Sequence, residues 1–477
     1  MTETASALTG LRDLPGPRGL PLIGVLHRLR FDRLHLTLEE WADRYGPLFR
    51  INMGPHPIAV VSDSAAIQRI LVQRPQGFRR TRRLEAVAVE MGLRGVFAAE
   101  GEDWRRQRRI VTAALNRHKL GDFFPKLALI AARLQRRWED AADRGEPVDV
   151  CGDLMRFTVD VTMQLAFGVD ANTLETPGPV IQRHLDKVFP VLHRRTNAPF
   201  MYWRWFRLPS DRALDQALEA IRREVGGMVR AARERMAADP DREPADFLEA
   251  ILAAAADEGS GISDADIFAN AGTLLLAGED TTANSIAWAM HYFTLHPDLF
   301  GRARDEVDSV LAPAAAMEDL EQANRLSFLD AFCNEVMRLK PVAPMHVAEP
   351  LEDTEMLGCL IPRGTPIMML LRHAATRDEH FADGERFDPE RWIAPPETRP
   401  NPHDRRVFLP FGGGPRLCPG RALALLEIRT VLAMLCRNFD LEPATPREQV
   451  QEHLAFTMLP AGLKVRLKRR AGEREDG

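Results

Sequence analysis

Apolar residues recur at spacings of three and four almost continuously from about residue 100 to residue 340, the pattern of helices that each bury one face. Glycine and proline break that stretch at Gly145-Glu146-Pro147, Thr176-Pro177-Gly178-Pro179, Asp239-Pro240 to Pro244 and Gly259-Ser260-Gly261. Upstream, Leu14 to Pro21 is a stiff, non-helical opening segment, and Leu34 to Tyr45 reads as an amphipathic helix. Leu48–Met53 and Ile58–Val61 alternate around Gly54-Pro55, which predicts a hairpin. Strand-like runs return only briefly, at Met356–Ile361, Pro366–Leu371 and Leu463–Leu467, and charge accumulates from Lys464 onward as a tail. No repeat, low-complexity tract or long polar linker divides the chain. The pattern predicts a flexible N-terminus over 1–13, one large domain over 14–470 and a flexible tail over 471–477. The fold class is mainly α with minor β.

Composition narrows the function classes. A chain of 477 residues with 45% hydrophobic and 27% charged positions can bury a large core and is not a disordered one. A formal charge of -5 gives no general pull toward nucleic acid or an anionic membrane. Arg74 to Arg83 holds five arginines, but aromatic interleaving is limited to Phe78, so the run reads as a solvated face. The five cysteines are too few and scattered for a disulfide framework, and no two have zinc-site spacing. They suit a reducing compartment. Met1 to Asp13 lacks a basic and then apolar leader, and no run reaches the roughly 18 apolar residues of a membrane span. The expectation is a soluble cytoplasmic protein with no membrane anchor and no nucleic-acid partner.

Candidate chemistry concentrates in Phe411-Gly412-Gly413-Gly414-Pro415-Arg416-Leu417-Cys418-Pro419-Gly420, followed by an apolar helix over Ala422–Leu435. Four glycines and two prolines let the backbone turn tightly enough to aim several N–H groups at one sulfur. The helix N-terminus behind Cys418, together with Arg416, adds positive potential that lowers a thiol pKa and favours a thiolate. Such a thiolate serves as a redox nucleophile or a soft metal ligand. A lone cysteine more often sits buried in a glycine turn, but that reading leaves the rest of the loop unexplained.

The spacing Phe411-x-x-Gly414-x-Arg416-x-Cys418-x-Gly420 resembles the haem-binding signature of the cytochrome P450 family at every defining position. Three further segments extend the resemblance over nearly the whole chain, as a soluble, bacterial-type member. Ala277-Gly278-Glu279-Asp280-Thr281-Thr282 lies within an apolar helix from about Asp264 to Leu295, capped by Ser263 with Asp266 three residues on. Polar groups inside such a helix are costly unless used. In the family this is a helix bulge where dioxygen sits over the haem, with Asp280 and Thr281 as an acid–alcohol proton relay. Glu335 and Arg338 fall on one face of a helix between Ser327 and Pro341. Phe387 to Trp392 resembles the family's meander, in which Arg391 completes a buried structural network with them. Trp104-Arg105-Arg106-Gln107-Arg108-Arg109 resembles the family's W-x-x-x-R helix, which implies Trp104 and Arg108 on one haem propionate and Arg416 on the other. Arg105, Arg106 and Arg109 are either a solvated face or a docking surface for an acidic electron-transfer partner. The chain departs from the family at Ala348, where many members carry a propionate-binding arginine, and His346 is a candidate substitute.

The resemblance implies haem b, set between the long central helix and the cysteine-loop helix, with Cys418 as axial iron ligand. Ala277, Gly278, Phe411, Gly414 and Gly420 are the further cofactor-binding residues, and Phe411 packs beside the thiolate. It implies a monooxygenase that puts one oxygen atom of O2 into a bulky apolar substrate by hydroxylation or epoxidation. No GxGxxG fingerprint in strand–helix context is present, so no bound flavin or nicotinamide is expected. Electrons are expected from a ferredoxin or flavodoxin with an NAD(P)H-dependent reductase, to a monomer. Candidate pocket segments are Leu84–Phe97, Phe200–Trp203, Leu274 and Ala277, Val342–Val347 and Phe456–Leu459, and the aromatic run Phe200–Phe206 is either packing or a mobile lid over a lipophilic pocket. The alternatives are a peroxide-driven peroxygenase, a non-catalytic haem protein and a cysteine hydrolase. The Asp280–Thr281 pair argues against the first two, and the other three motifs against the third.

Overall fold

Ser263 accepts a hydrogen bond from the Asp266 N–H, and Asp266 accepts one from the Ser263 N–H, at 3.2 and 3.0 Å. This reciprocal cap starts the longest helix of the protein, Asp264–Leu295. Its side chains are apolar on almost every face, so it is stable only inside the molecule. Helices Val150–Phe167, Pro209–Ala238, Ser327–Leu339 and Arg421–Asn438 surround it, together with strand Met458–Ala461. The computed structural model describes residues 8–470 apart from 116, 177–186, 199, 258–259, 396 and 400. The fold is mainly α with minor β, as the periodicity predicts.

The helix Leu34–Tyr45 and the hairpin Leu48–Met53 with His56–Val61 form where the pattern places them. That hairpin is one end of a five-stranded mixed sheet. His56–Val61 pairs in parallel with Ile367–Leu370, which is antiparallel to Met345–Pro350. Phe78–Arg79 closes the other end against Pro350 and Glu349. The sheet brings Phe78 and Arg79 alongside the strand carrying His346 and Ala348. A second hairpin, Gln451–Leu454 with Met458–Ala461, is tied to the central helix: Trp288 Nε1 donates to the Met458 carbonyl and Asn284 Nδ2 to Thr457 Oγ1, both at 3.1 Å.

Several expectations need correction. Thr9 and Gly10, inside the segment expected to be flexible, pair in parallel with Cys359 and Leu360, and Leu11 is buried behind them. Met356–Ile361 is a hairpin turn at Leu357-Gly358, with strands Thr354–Met356 and Cys359–Ile361 on either side. Lys464–Arg469 is a strand between Phe439–Pro443 and Val148–Asp149 rather than the start of a tail. Its charges alternate with Val465 and Leu467, which are buried, so period two prevails over net charge. The predicted breaks at Pro177–Pro179 and Gly259, and the tail over 471–477, lie outside the described residues. Among the described residues no helix is long and apolar enough to cross a membrane.

Candidate active site

The cysteine loop is held from three sides. The Cys418 N–H donates to the Phe411 carbonyl at 3.0 Å, which closes the loop on itself. Gly414, at φ 64°, sits so close to helix Ser64–Val72 that a β-carbon there would lie 2.1 Å from the Leu71 carbonyl oxygen. Arg108 Nη2 donates to the Leu417 carbonyl at 2.7 Å. Cys418 remains solvent-accessible, and helix Arg421–Asn438 begins directly after Gly420. Desolvation by the loop atoms packed around the sulfur pushes the thiol pKa up even though the residue is open to solvent; the Gly420 N–H, the Arg108 guanidinium and the Arg421 N–H act against it. The loop's positive groups therefore work in the predicted direction, but desolvation outweighs them, contrary to the expectation of a lowered pKa. Phe411 is half-buried, with the Arg421 guanidinium 5.9 Å from its ring centre.

The central helix is continuous through residues 277–282. Ala277 is exposed and Leu274, Asp280 and Thr281 are half-exposed, although Glu279 and Thr282 are buried. Leu274, Ala277 and Thr281, three and four apart, form one accessible stripe on a helix that packs against the cysteine helix. Thr281 Oγ1 donates to the Ala277 carbonyl at 3.0 Å. Gly278 faces elsewhere: a β-carbon on it would stand 2.5 Å from Thr162 Oγ1 of helix Val150–Phe167. It is a helix-packing glycine and not part of the stripe.

The basic helix Gly101–Ala114 separates into two roles. Trp104 is buried, and the Arg416 guanidinium stacks 4.6 Å from its ring centre. Arg416 Nη2 also donates to the Ala99 carbonyl and pairs with Glu100 Oε2, each at 2.7 Å, while Nε and Nη1 are buried without a hydrogen-bond partner. Arg105 and Arg106 pair with Glu102 and Asp103 one turn earlier, so much of the supposed docking charge is neutralised. The run Arg74–Arg83 is not the solvated face its composition suggests. Arg74 is only 3% exposed, and Arg80 stacks 3.8 Å from the centre of the Phe97 ring. His346 lies near Gly412 and stays neutral, its pKa pushed down to about 3 by burial and by Arg80 and Arg74.

Glu335, Arg338 and Arg391 meet as the resemblance implies. Arg338 grips Glu335 with two bonds of 2.8 and 2.7 Å, and Arg391 Nε donates to Glu335 Oε1 at 2.9 Å. The Trp392 Nε1–H and the Asp388 N–H complete the carboxylate's shell at 2.8 and 2.9 Å, two partners that the motif does not reveal. Arg338 turns its remaining donors to the Ala375, Gly384 and Arg386 carbonyls.

The pocket segments divide. Phe97 and Phe456 meet edge to face at 6.1 Å, and the Met458 N–H donates to the Val342 carbonyl at 2.8 Å. These contacts join three predicted lining segments. In the aromatic run, Tyr202 and Trp203 are core residues, with Trp203 Nε1 donating to Glu90 at 2.6 Å. Trp205, 85% exposed, and Phe206 instead edge a surface cleft of about 580 Å³ that Glu90, Arg195, Arg212 and Asp215 make polar. No residue of the cysteine loop lines that cleft.

On the cysteine helix Glu427 is buried, and burial alone pushes its carboxyl pKa well above 4.5. The folded state keeps this proton while the unfolded chain loses it above about pH 4.5, so stability falls as pH rises, by about 1.4 kcal/mol per unit until the folded pKa is reached. Glu427→Gln lacks that loss. The variant is expected to gain on the parent between pH 5 and pH 8 in urea unfolding; an equal difference at both pH values contradicts the assignment.

The site fits the haem that the loop implies: an accessible cysteine, the uncovered Leu274 and Ala277 on the helix packed against the cysteine helix, and buried guanidinium N–H groups of Arg416 without partners. Comparison with known proteins agrees. The family profile described as Cytochrome P450 matches residues 14–467. Cytochrome P450 3A6 of Oryctolagus cuniculus is 26% identical over 95% of this chain and 91% of its own length. Protein LUTEIN DEFICIENT 5, chloroplastic, of Arabidopsis thaliana is 28% identical over 89% of this chain and 72% of its own. Self-sufficient cytochrome P450 monooxygenase CYP505E5 of Aspergillus niger is 28% identical over 97% of this chain but only 44% of its own length.

Proposed function

This chain belongs to the cytochrome P450 family, the haem-thiolate monooxygenases, and from that premise we propose that it oxygenates a bulky apolar substrate by hydroxylation or epoxidation. The observation that carries the reading is the accessible Cys418 sulfur in a loop that packs against helix Ser64–Val72 and leads into a helix lying on the central one. One oxygen atom of O2 enters the substrate and the other leaves as water, with two electrons and two protons consumed.

Haem, when bound, supplies the redox chemistry that activates O2. Cys418 would hold its iron, and the Gly420 and Arg421 N–H groups with Arg108 favour the thiolate form against desolvation. Thr281 Oγ1 spends its own proton on the Ala277 carbonyl, which leaves its lone pairs free to accept a proton donor from the pocket side. Asp280 is the next residue back and half-exposed, placed to exchange protons with solvent. Leu274, Ala277, Phe97 and Phe456 supply an apolar surface that favours a lipophilic substrate and excludes water.

Electrons are assigned to a separate ferredoxin or flavodoxin with an NAD(P)H-dependent reductase. Five free cysteines suit a cytoplasmic setting.

The test begins with a panel of polar and apolar compounds scored by the low-to-high-spin shift. Apolar binders are then turned over with a surrogate reductase under 18O2. The expected product carries one 18O atom, and Asp280→Asn lowers turnover about 100-fold, the scale of a positioned proton donor. A response to polar compounds alone, or product without 18O, overturns the proposal.

A further inference from the structure

Three arginines from distant parts of the chain converge beside the cysteine loop. Arg74 follows helix Ser64–Val72, whose end packs on Gly414. Its side chain is enclosed, and Nε and Nη2 are buried without hydrogen-bond partners. Arg80 lies beyond the short strand Phe78–Arg79, with a buried, unpartnered Nε of its own. Arg416 has a side chain only 4% exposed and two unpartnered nitrogens. The three feel one another: Arg74 and Arg416 both act against the charge on Arg80, and Arg74 against that on Arg416.

One carboxylate answers them. Glu100 accepts the Arg80 backbone N–H on Oε1 at 3.0 Å and faces Arg416 Nη2 through Oε2 at 2.7 Å. Other neighbours do not close the balance. Arg79 is engaged by Glu85 and Glu349, Arg108 by the Leu417 carbonyl, and His346 is neutral. Three guanidinium groups against one carboxylate leave a surplus of two positive charges, with unused N–H groups, in a place where unpaired charge is expensive. A guanidinium presents a planar fork suited to a carboxylate. Ala348, which shares a strand face with His346 two residues away, provides no cation.

We propose that Arg74 and Arg80, with Arg416, hold the two propionates of the haem, and that they replace the strand arginine absent at Ala348. This assignment rests on the haem-thiolate reading. It identifies two binding residues in a run whose composition suggests only surface charge, and it leaves His346 as a neutral neighbour.

The test is the rate at which the purified holoenzyme loses haem to an excess of a haem-scavenging apoglobin. Arg74→Gln and Arg80→Gln are each expected to speed the loss roughly 10-fold or more, the scale of a lost charge-assisted hydrogen bond. Both are expected to keep the thiolate-type reduced–CO band, because Cys418 is untouched. Arg80→Lys is expected to recover part of the retention. In parallel, the parent chain reconstituted with haem dimethyl ester, whose carboxylates are neutral, is expected to lose cofactor as fast as the variants, and the ester is expected to erase the difference between parent and Arg80→Gln. Unchanged haem retention in both variants overturns the proposal, as does an equal penalty with haem b and its dimethyl ester. Failure of the parent chain to take up haem would instead bring down the reading beneath it.

Discussion

Replacing Glu335 with alanine is expected to cost about 3–5 kcal/mol of folding stability, the usual penalty for breaking a buried ion network. Glu335, Arg338 and Arg391 are 0–1% exposed. Five donors converge on the one carboxylate: two from Arg338 and one each from Arg391, Trp392 and the Asp388 backbone. Its removal leaves two guanidinium charges with only carbonyl acceptors such as Ala375 and Ala382. Because the network joins helix Ser327–Leu339 to the meander preceding the cysteine loop, haem retention should fall together with stability. Denaturant unfolding of the holoenzyme reads the first effect and haem content the second. A loss below about 1 kcal/mol, the range of an exposed ion pair, would contradict this role.

Gly414→Ala is expected to abolish stable haem binding while leaving most helix content intact. The conformation at Gly414 has φ 64°, where a β-carbon costs roughly 1–2 kcal/mol. The larger problem is the contact: the added carbon would lie 2.1 Å from the Leu71 carbonyl oxygen, a backbone atom that no rotamer change can move. The loop must withdraw from helix Ser64–Val72, and Arg416 and Cys418 are carried with it. Haem-to-protein ratio and far-ultraviolet circular dichroism, measured on one preparation, separate the two effects. Normal haem content with a thiolate-type spectrum would show that the loop accommodates the methyl group.

Features fixed by neighbours in the chain were readable from sequence. The Ser263–Asp266 cap, the glycine turn before Cys418 and the Glu335–Arg338 spacing each span a few residues, so local chemistry sets their geometry. What escaped depends on distant segments meeting. Arg74, Arg80, Glu100 and Arg416 become one buried cluster only after the mixed sheet and the cysteine loop are assembled, and composition alone reads the first two as solvated. The pairing of Arg74 with an apolar run ending at Leu71-Val72 and a following Pro75 was the available hint of burial. In sequence Gly278 falls among the expected cofactor-binding residues because it lies between Ala277 and Asp280. The 3.6-residue turn instead points it at Thr162. The charged strand Lys464–Arg469 shows the reverse error, since its alternation carried more information than its charge.

The central claim is that Cys418 ligates haem iron as a thiolate. The direct measurement is the absorption spectrum of the purified protein, reduced with dithionite and exposed to carbon monoxide, beside that of Cys418→Ala. The prediction is the strongly red-shifted Soret band of a thiolate-ligated ferrous–CO complex in the parent and its loss in the variant. A parent band at the shorter wavelength of histidine or neutral-thiol ligation, or a red-shifted band that survives in Cys418→Ala, would contradict it.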